Sequence, residues 1–312
     1  MTTTQKAFDP GIYFNLDEAT YHADPALGST DIRKLRQNPS SYWYSSWMNP
    51  HRPPDKGTPG RTRGRAMHKL VYEGEKAFDE IYMRGAEHDA DMTPSEKASL
   101  TKEANKRAAT LNKIALPAVD YDQVAIASAM ITKNPELKSV FTGGASEVSV
   151  FWQRSGIRLK ARLDYLKPRG VGDLKGCANT KGIAFPAACR NDITNYSYHI
   201  QAKHYLDARA VIPQLIRDNA VHGAHENDFL DKLLAAKVYG WQWLFYQIEG
   251  APITWSAVLS PQNPILELAA RSIDQALANF VDYRDRFGTD MWLLIEEPRE
   301  LPIEEMPSWF GR

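Results

Sequence analysis

Residues 157–175 constrain this chain more than any other stretch. Ile157, Leu159, Ala161, Leu163 and Tyr165 alternate with Arg158, Lys160, Arg162 and Asp164, and in a strand that period of two sends successive side chains to opposite faces. The segment Lys167-Pro168-Arg169-Gly170 follows, a Pro/Gly punctuation that suits a hairpin turn. In the next run, Val171 to Lys175, the same period places Asp173 and Lys175 on one side and Leu174 on the other. The pattern predicts a hairpin with an apolar face to bury and two aspartates and a lysine at its edge.

Those residue types suit one chemistry. Aspartate oxygens are hard ligands for Mg²⁺ or Mn²⁺, which binds through few carboxylates and keeps waters and substrate phosphate as its other ligands. A metal so held polarises a phosphodiester and lowers the pKa of an attacking water. Lys175 is placed to orient that water and offset developing charge. The expectation is phosphodiester hydrolysis.

The formal net charge is zero, which by itself argues against a nucleic-acid partner. Its distribution argues the other way. From Arg52 to Lys69 there are six Lys/Arg (Arg52, Lys56, Arg61, Arg63, Arg65, Lys69) against Asp55 alone, and from Arg154 to Lys181 eight against Asp164 and Asp173. Residues 290–312 hold six acidic residues and two arginines and cancel the sum. Two basic clusters bracketing the candidate ligands favour phosphate contacts.

Along the rest of the chain, Gly28-Ser29-Thr30-Asp31 reads as the N-cap region of a helix Ile32 to Gln37 that stops before Asn38-Pro39. Residues 49–64, rich in Pro, Gly and Arg, are expected to be a loop, and Ala66 to Tyr72 a helix. Helices are expected over Ser95 to Leu111, Asp122 to Thr132, Ser197 to Asn219 and Asn263 to Phe287. Strands are expected over Lys232 to Gly240, Trp241 to Gln247 and Ile253 to Leu259. The reading is one α/β domain with a mixed sheet between helices. Tyr198, Gln201 and Tyr205 fall on one face of their helix.

Other classes are disfavoured. No run of 18 apolar residues marks a membrane span, and Met1 to Lys6 shows no apolar signal region, so the expected location is cytoplasmic. Two cysteines, Cys177 and Cys189, are too few for a four-thiolate iron–sulfur cluster. No Gly-x-x-x-x-Gly-Lys-Ser/Thr loop is present, against an ATP-driven helicase-nuclease.

The segments Glu147 to Trp152, Lys160 to Tyr165, Asp173-Leu174-Lys175 and Tyr198 to Leu206 together resemble the PD-(D/E)xK nuclease superfamily, and within it the exodeoxyribonuclease VIII (RecE) type. Tyr21-His22-Ala23-Asp24, Asn38-Pro39-Ser40-Ser41-Tyr42 and Gly64 to Leu70 are similar to the opening segments of that type. The resemblance implies a restriction-endonuclease-like core, a central mixed sheet flanked by helices, in a single nuclease domain over 1–312: an N-terminal helical part (12–140), a catalytic core (145–290) and an acidic tail (291–312). It implies His68, Asp164 and Asp173 as metal ligands, Lys175 as the catalytic lysine, Gln201 and Tyr205 as active-site helix residues, and Glu147 as an indirect contributor. Leu163 stands where the superfamily has its proline, and Gly176-Cys177 follows the lysine where Thr is common.

The activity implied by the same resemblance is that of a Mg²⁺-dependent exonuclease, with Mn²⁺ able to substitute, that works 5′ to 3′ on double-stranded DNA ends and leaves 3′ tails. Its expected partners are a single-strand annealing recombinase, in phage or prophage recombination, and further copies of itself in a homo-oligomeric ring. Arg65, Lys160 and Arg162 are the candidates for DNA-backbone contact. A structure- or sequence-specific endonuclease and a non-catalytic DNA-end-binding protein are the rival readings.

Overall fold

The computed structural model describes residues 7–55, 57–293 and 298–311. Lys56 of the first basic cluster, Glu296, Glu297 and Arg312 of the tail, and Met1 to Lys6 lie outside them. In chain order, β1 (Gly11–Tyr13), α1 (Glu18–Ala23), α2 (Ser29–Gln37), α3 (Pro39–Ser45) and the long α4 (Pro59–Ile81) come first. β2 (Tyr82–Arg84) and β3 (Ile114–Leu116) pair in parallel on either side of α5 (Pro94–Thr110). Next come α6 (Ala118–Thr132), α7 (Pro135–Val140) and the antiparallel run β4 (Ala145–Arg154), β5 (Ile157–Lys167) and β6 (Gly170–Cys177). α8 (Phe185–Asn195), α9 (Tyr198–Arg217), β7 (Val221–His222), α10 (Asn227–Ala235), β8 (Gly240–Gln247), β9 (Thr254–Leu259) and α11 (Pro264–Phe287) complete the regular structure of the core.

Among the described residues, seven strands form one mixed sheet in the order β7-β1-β4-β5-β6-β8-β9. β8 runs parallel to β6 and reads Trp241-Gln242-Trp243-Leu244-Phe245-Tyr246, the nearly unbroken apolar run of a strand covered on both faces. Trp241, Trp243 and Phe245 pack in the layer that holds α2, α9 and α11. Leu244 and Tyr246 pack in the opposite layer with Met67, Leu70 and Val71 of α4 and Val124 and Ile131 of α6. No helix among the described residues is long and apolar enough to cross a membrane.

Four expectations change. The helix expected from Ala66 begins inside the expected loop, because Thr58 accepts from Arg61 N and Pro59 occupies the first turn, where its missing N–H costs nothing. The strand expected over 232–240 is instead the end of α10 and a connection. Phe229 and Leu233, four apart, bury one helical face there. The N-terminal part is not only helical, since Ile12 of β1 pairs with Val150 of β4. Trp292, expected in the tail, is core: it is 1 % exposed and packs on Tyr42, Phe280 and Tyr283. Beyond it, Leu301, Ile303, Trp309 and Phe310 are exposed. Replacing Trp292 with Ala is expected to lower unfolding free energy by about 3–5 kcal/mol, read from the urea midpoint, whereas Trp309→Ala leaves it within about 0.5 kcal/mol.

Candidate active site

The site begins where two strands separate. β5 and β6 pair only through Tyr165↔Gly172, Leu166↔Val171 and Lys167↔Gly170, around the expected turn. β5 then continues along β4 as far as Ile157, and β6 along β8 as far as Cys177. Asp164 and Asp173 are the first residues past the last shared pair, one on each side of the split. The backbone edge that β5 loses there is taken up further along by Leu27, whose N–H donates to Arg158 O at 3.0 Å and whose carbonyl accepts from Lys160 N at 3.0 Å.

Strict alternation fails at this level. Leu163 and Leu166, three residues apart, both pack in the α9 layer, while Tyr165 packs in the α4 layer instead of joining Leu163. Ala145 and Val148 of β4 show the same odd spacing. Between them Glu147 has φ of 54°, and the Glu147/Asp164 pair is missing from a ladder that includes both Ser146↔Tyr165 and Val148↔Leu163. A paired irregularity in two strands thus sets the level at which Asp164 sits.

Across the split, Lys175 Nζ donates to Asp173 Oδ1 at 2.7 Å and lies 3.9 Å from Asp164 Oδ2. The ammonium also lies 5.1 Å from the centre of the Tyr198 ring. α9 packs against β5 and β6 and buries Gln201 and Tyr205. On the other side α4 brings His68, whose Nε2 is 2.9 Å from the Leu174 carbonyl. A carbonyl only accepts, so this nitrogen carries the proton. His68 Nδ1 lies 3.8 Å from Glu147 Oε1, and Arg162 donates to the other Glu147 oxygen at 2.6 Å. Glu147 therefore stands between Arg162 and the His68 ring.

The two aspartates share the site unequally. Burial, and then the Asp173 charge, push the Asp164 carboxyl well above the ordinary carboxylate value, with Lys175 only partly opposing them. Burial works against Asp173 as well, but Lys175 and Asp164 outweigh it and hold that carboxyl below its usual value. Burial would lower Lys175; Asp173 and Asp164 instead raise it above the ordinary lysine value, so it keeps its charge.

Among the described residues, no three His, Cys, Asp or Glu side chains converge into a ready-made metal cage. The donor set nevertheless fits an ion held by one or two carboxylates, with water and substrate supplying the remaining ligands. Asp173 Oδ2 is buried and has no donor on it other than the neighbouring Asp164 carboxyl, an arrangement that suits a cation shared by the two. Asp164, Asp173 and the Leu174 carbonyl are the oxygens that would hold it. His68 would join them in place of its bond to Leu174. The carbonyl was not visible in the sequence, because a backbone ligand has no side-chain signature. Tyr198 was visible only as part of the Tyr198/Gln201/Tyr205 stripe.

The basic residues expected to meet DNA divide into two groups. Lys160 is 5 % exposed, and its ammonium donates to the Tyr21 and Asp24 carbonyls at 2.9 and 2.6 Å. Arg162 donates to Glu147, to Leu16 O at 2.7 Å and to Ser149 Oγ at 3.2 Å. Arg158 holds Phe8 O and Asp24. This face of β5 clamps the N-terminal segment, so the placement of Lys160 and Arg162 is internal and not that of a substrate-facing patch. Arg65 is outside, in an ion pair with Glu18 at 2.7 Å.

This geometry predicts two outcomes. A carboxyl whose folded pKa is raised contributes stability that is complete below its unfolded value and lost as pH rises through the folded one; the lowered Asp173 behaves oppositely and loses its contribution only towards acid. Without divalent metal, stability should therefore fall as pH rises above the ordinary aspartate value of 3.8. Asp164→Asn should flatten that slope and raise Tm at neutral pH, as checked by melts in chelator from about pH 4 to about pH 8. At position 147, Gly adopts a positive φ freely whereas Ala strains there by about 1 kcal/mol. Both variants lose the links to His68 and Arg162, so Glu147→Ala should be the less stable by about that amount in urea titrations.

No curated protein matches the chain. Among solved structures it is similar to a crystal structure from Eubacterium rectale described as "Putative exonuclease", with a TM-score of 0.53 and 12% identity over 92% of this chain and 97% of that one. At that identity the likeness is one of fold. The family described as PDDEXK-like domain of unknown function (DUF3799) matches residues 54–213, a span that carries His68, Glu147, the two aspartates and lysine at the strand split, and Gln201 and Tyr205 above them. Its extent and the α/β core it covers make this chain a member of the DUF3799 family of PDDEXK-like domains.

Proposed function

We propose that this protein is a divalent-metal-dependent deoxyribonuclease that works 5′ to 3′ from the ends of linear double-stranded DNA and leaves 3′ single strands for a strand-annealing recombinase. The observation that carries the hydrolytic part is the pair of buried carboxylates, Asp164 and Asp173, that share the charged Lys175 at the strand split. Polarity, action from an end and the annealing partner are supported by the sequence resemblance.

When bound, a divalent cation supplies charge stabilisation for the phosphoryl oxygens and lowers the pKa of an attacking water. The remaining roles belong to the chain. Lys175 is held protonated, so it is no general base. It donates to the attacking water or to a phosphoryl oxygen, offsetting charge that builds up in a water-poor site. Gln201 and Tyr205, buried on α9, limit the positions a phosphodiester can take. Glu147, tied to Arg162, stands beside the His68 ring.

The test uses linear duplex labelled at either 5′ end, a covalently closed circle, and Mg²⁺ or chelator. The wild type is expected to release 5′-terminal nucleotides from linear DNA with Mg²⁺ and to leave the circle intact. Lys175→Ala is expected to lower Tm, because it leaves two buried carboxylates without their ammonium, and, at a temperature where the variant is still folded, to lower kcat by about 10²–10³. Cutting of the circle would instead establish an endonuclease. Binding without hydrolysis in Mg²⁺ would refute both enzymatic readings.

A further inference from the structure

One stripe of α4 leads out of the site towards solvent. Counting back from His68, Arg65 and Gly64 lie one turn earlier and Arg61 two turns earlier on the same side of the helix. Ala66, Met67, Leu70 and Val71 are buried against the core, which fixes the direction this stripe faces.

Gly64 has no internal reason to be glycine. A Cβ at Gly85 would meet Leu116 O at 2.4 Å, and one at Gly144 would meet Leu166 O at 2.2 Å, so the fold itself requires those two. A Cβ at Gly64 would meet nothing within 4 Å, and the residue lies inside a helix, where glycine is less favourable than alanine. Nothing within the fold fills that space. It is continuous in sequence and helix face with His68, which bonds the Leu174 carbonyl between Asp173 and Lys175.

The flanking arginines are provisionally occupied. Arg61 is 2.6 Å from Asp55 and Arg65 is 2.7 Å from Glu18, and both arginine side chains are more than half exposed. Exposed pairs of this kind contribute little to stability. Each carboxylate sits where a phosphate oxygen would bind the same fork.

We propose that Gly64 is the floor over which the DNA strand reaches the scissile position, between Arg61 and Arg65, which exchange Asp55 and Glu18 for backbone phosphates. This rests on the deoxyribonuclease reading above. It adds a substrate track with a steric element and a pair of acidic place-holders. Substitution at Gly64 then moves folding and function in opposite directions, which a purely structural role would not do.

The experiment measures Tm and steady-state hydrolysis of linear duplex DNA, at fixed salt and Mg²⁺, for the wild type, Gly64→Ala, Gly64→Leu, Arg61→Ala, Asp55→Asn and the control Lys102→Ala on α5. Gly64→Ala should raise Tm by about 2 °C and still raise KM. Gly64→Leu and Arg61→Ala should each raise KM about tenfold or more. Asp55→Asn should lower KM by about twofold to fivefold, and Lys102→Ala should match the wild type. If wild type cleaves DNA and the folded Gly64 variants keep its KM, this inference is overturned and the nuclease reading stands. If Gly64→Leu fails to fold, Gly64→Ala and Asp55→Asn decide by the same signs. A wild type that neither cleaves nor binds DNA overturns both.

Discussion

The separation of β5 from β6 after a short shared ladder is the constraint on which the rest of the structure depends. A hairpin that stayed paired would satisfy its backbone with its own partner strand and present Asp164 and Asp173 as ordinary neighbours. Where the strands part, the edge of β5 that faced β6 needs another partner. Leu27 supplies it, while β4 and β8 hold the opposite edges of β5 and β6 both before and after the split. The path of the N-terminal segment beside β5 follows from meeting that backbone requirement.

The same separation creates an electrostatic problem that the fold resolves only in part. Two carboxylates are taken out of water with one ammonium between them. The protein settles this by holding Asp173 charged against Lys175 and leaving Asp164 with a raised pKa. Packing from α9 above and α4 beside keeps water from solving it more cheaply. A cluster with this balance carries an electrostatic cost of its own, as expected where stability is traded for chemistry.

The basic strand illustrates how charge can mislead. Arg158, Lys160 and Arg162 face one way in the alternating pattern, and a row of cations beside candidate metal ligands suggests phosphate. Instead they hold Phe8, Leu16, Tyr21 and Asp24 by main-chain carbonyls or carboxylate. A long cationic side chain buried along a sheet is tolerated when its head finds such acceptors. The exposed cations lie elsewhere, on the first turns of α4.

Taken alone, the sequence determined what short-range periodicity can determine. The hairpin over 157–175, the amphipathic helices at 198–217 and 264–287, and the shared face of Tyr198, Gln201 and Tyr205 all follow from side-chain spacing. Asp164, Asp173 and Lys175 stood out by residue type and strand alternation, whereas His68 was legible only through the family resemblance. Tertiary structure decided the rest. Whether a lysine or arginine is outside or clamped inside depends on segments more than a hundred residues away, as with Lys160 and Tyr21. The break in alternation at Asp164 depends on a left-handed Glu147 in the neighbouring strand. The Leu174 carbonyl and the open space at Gly64 are properties of backbone and of empty volume, and neither has a letter in the sequence.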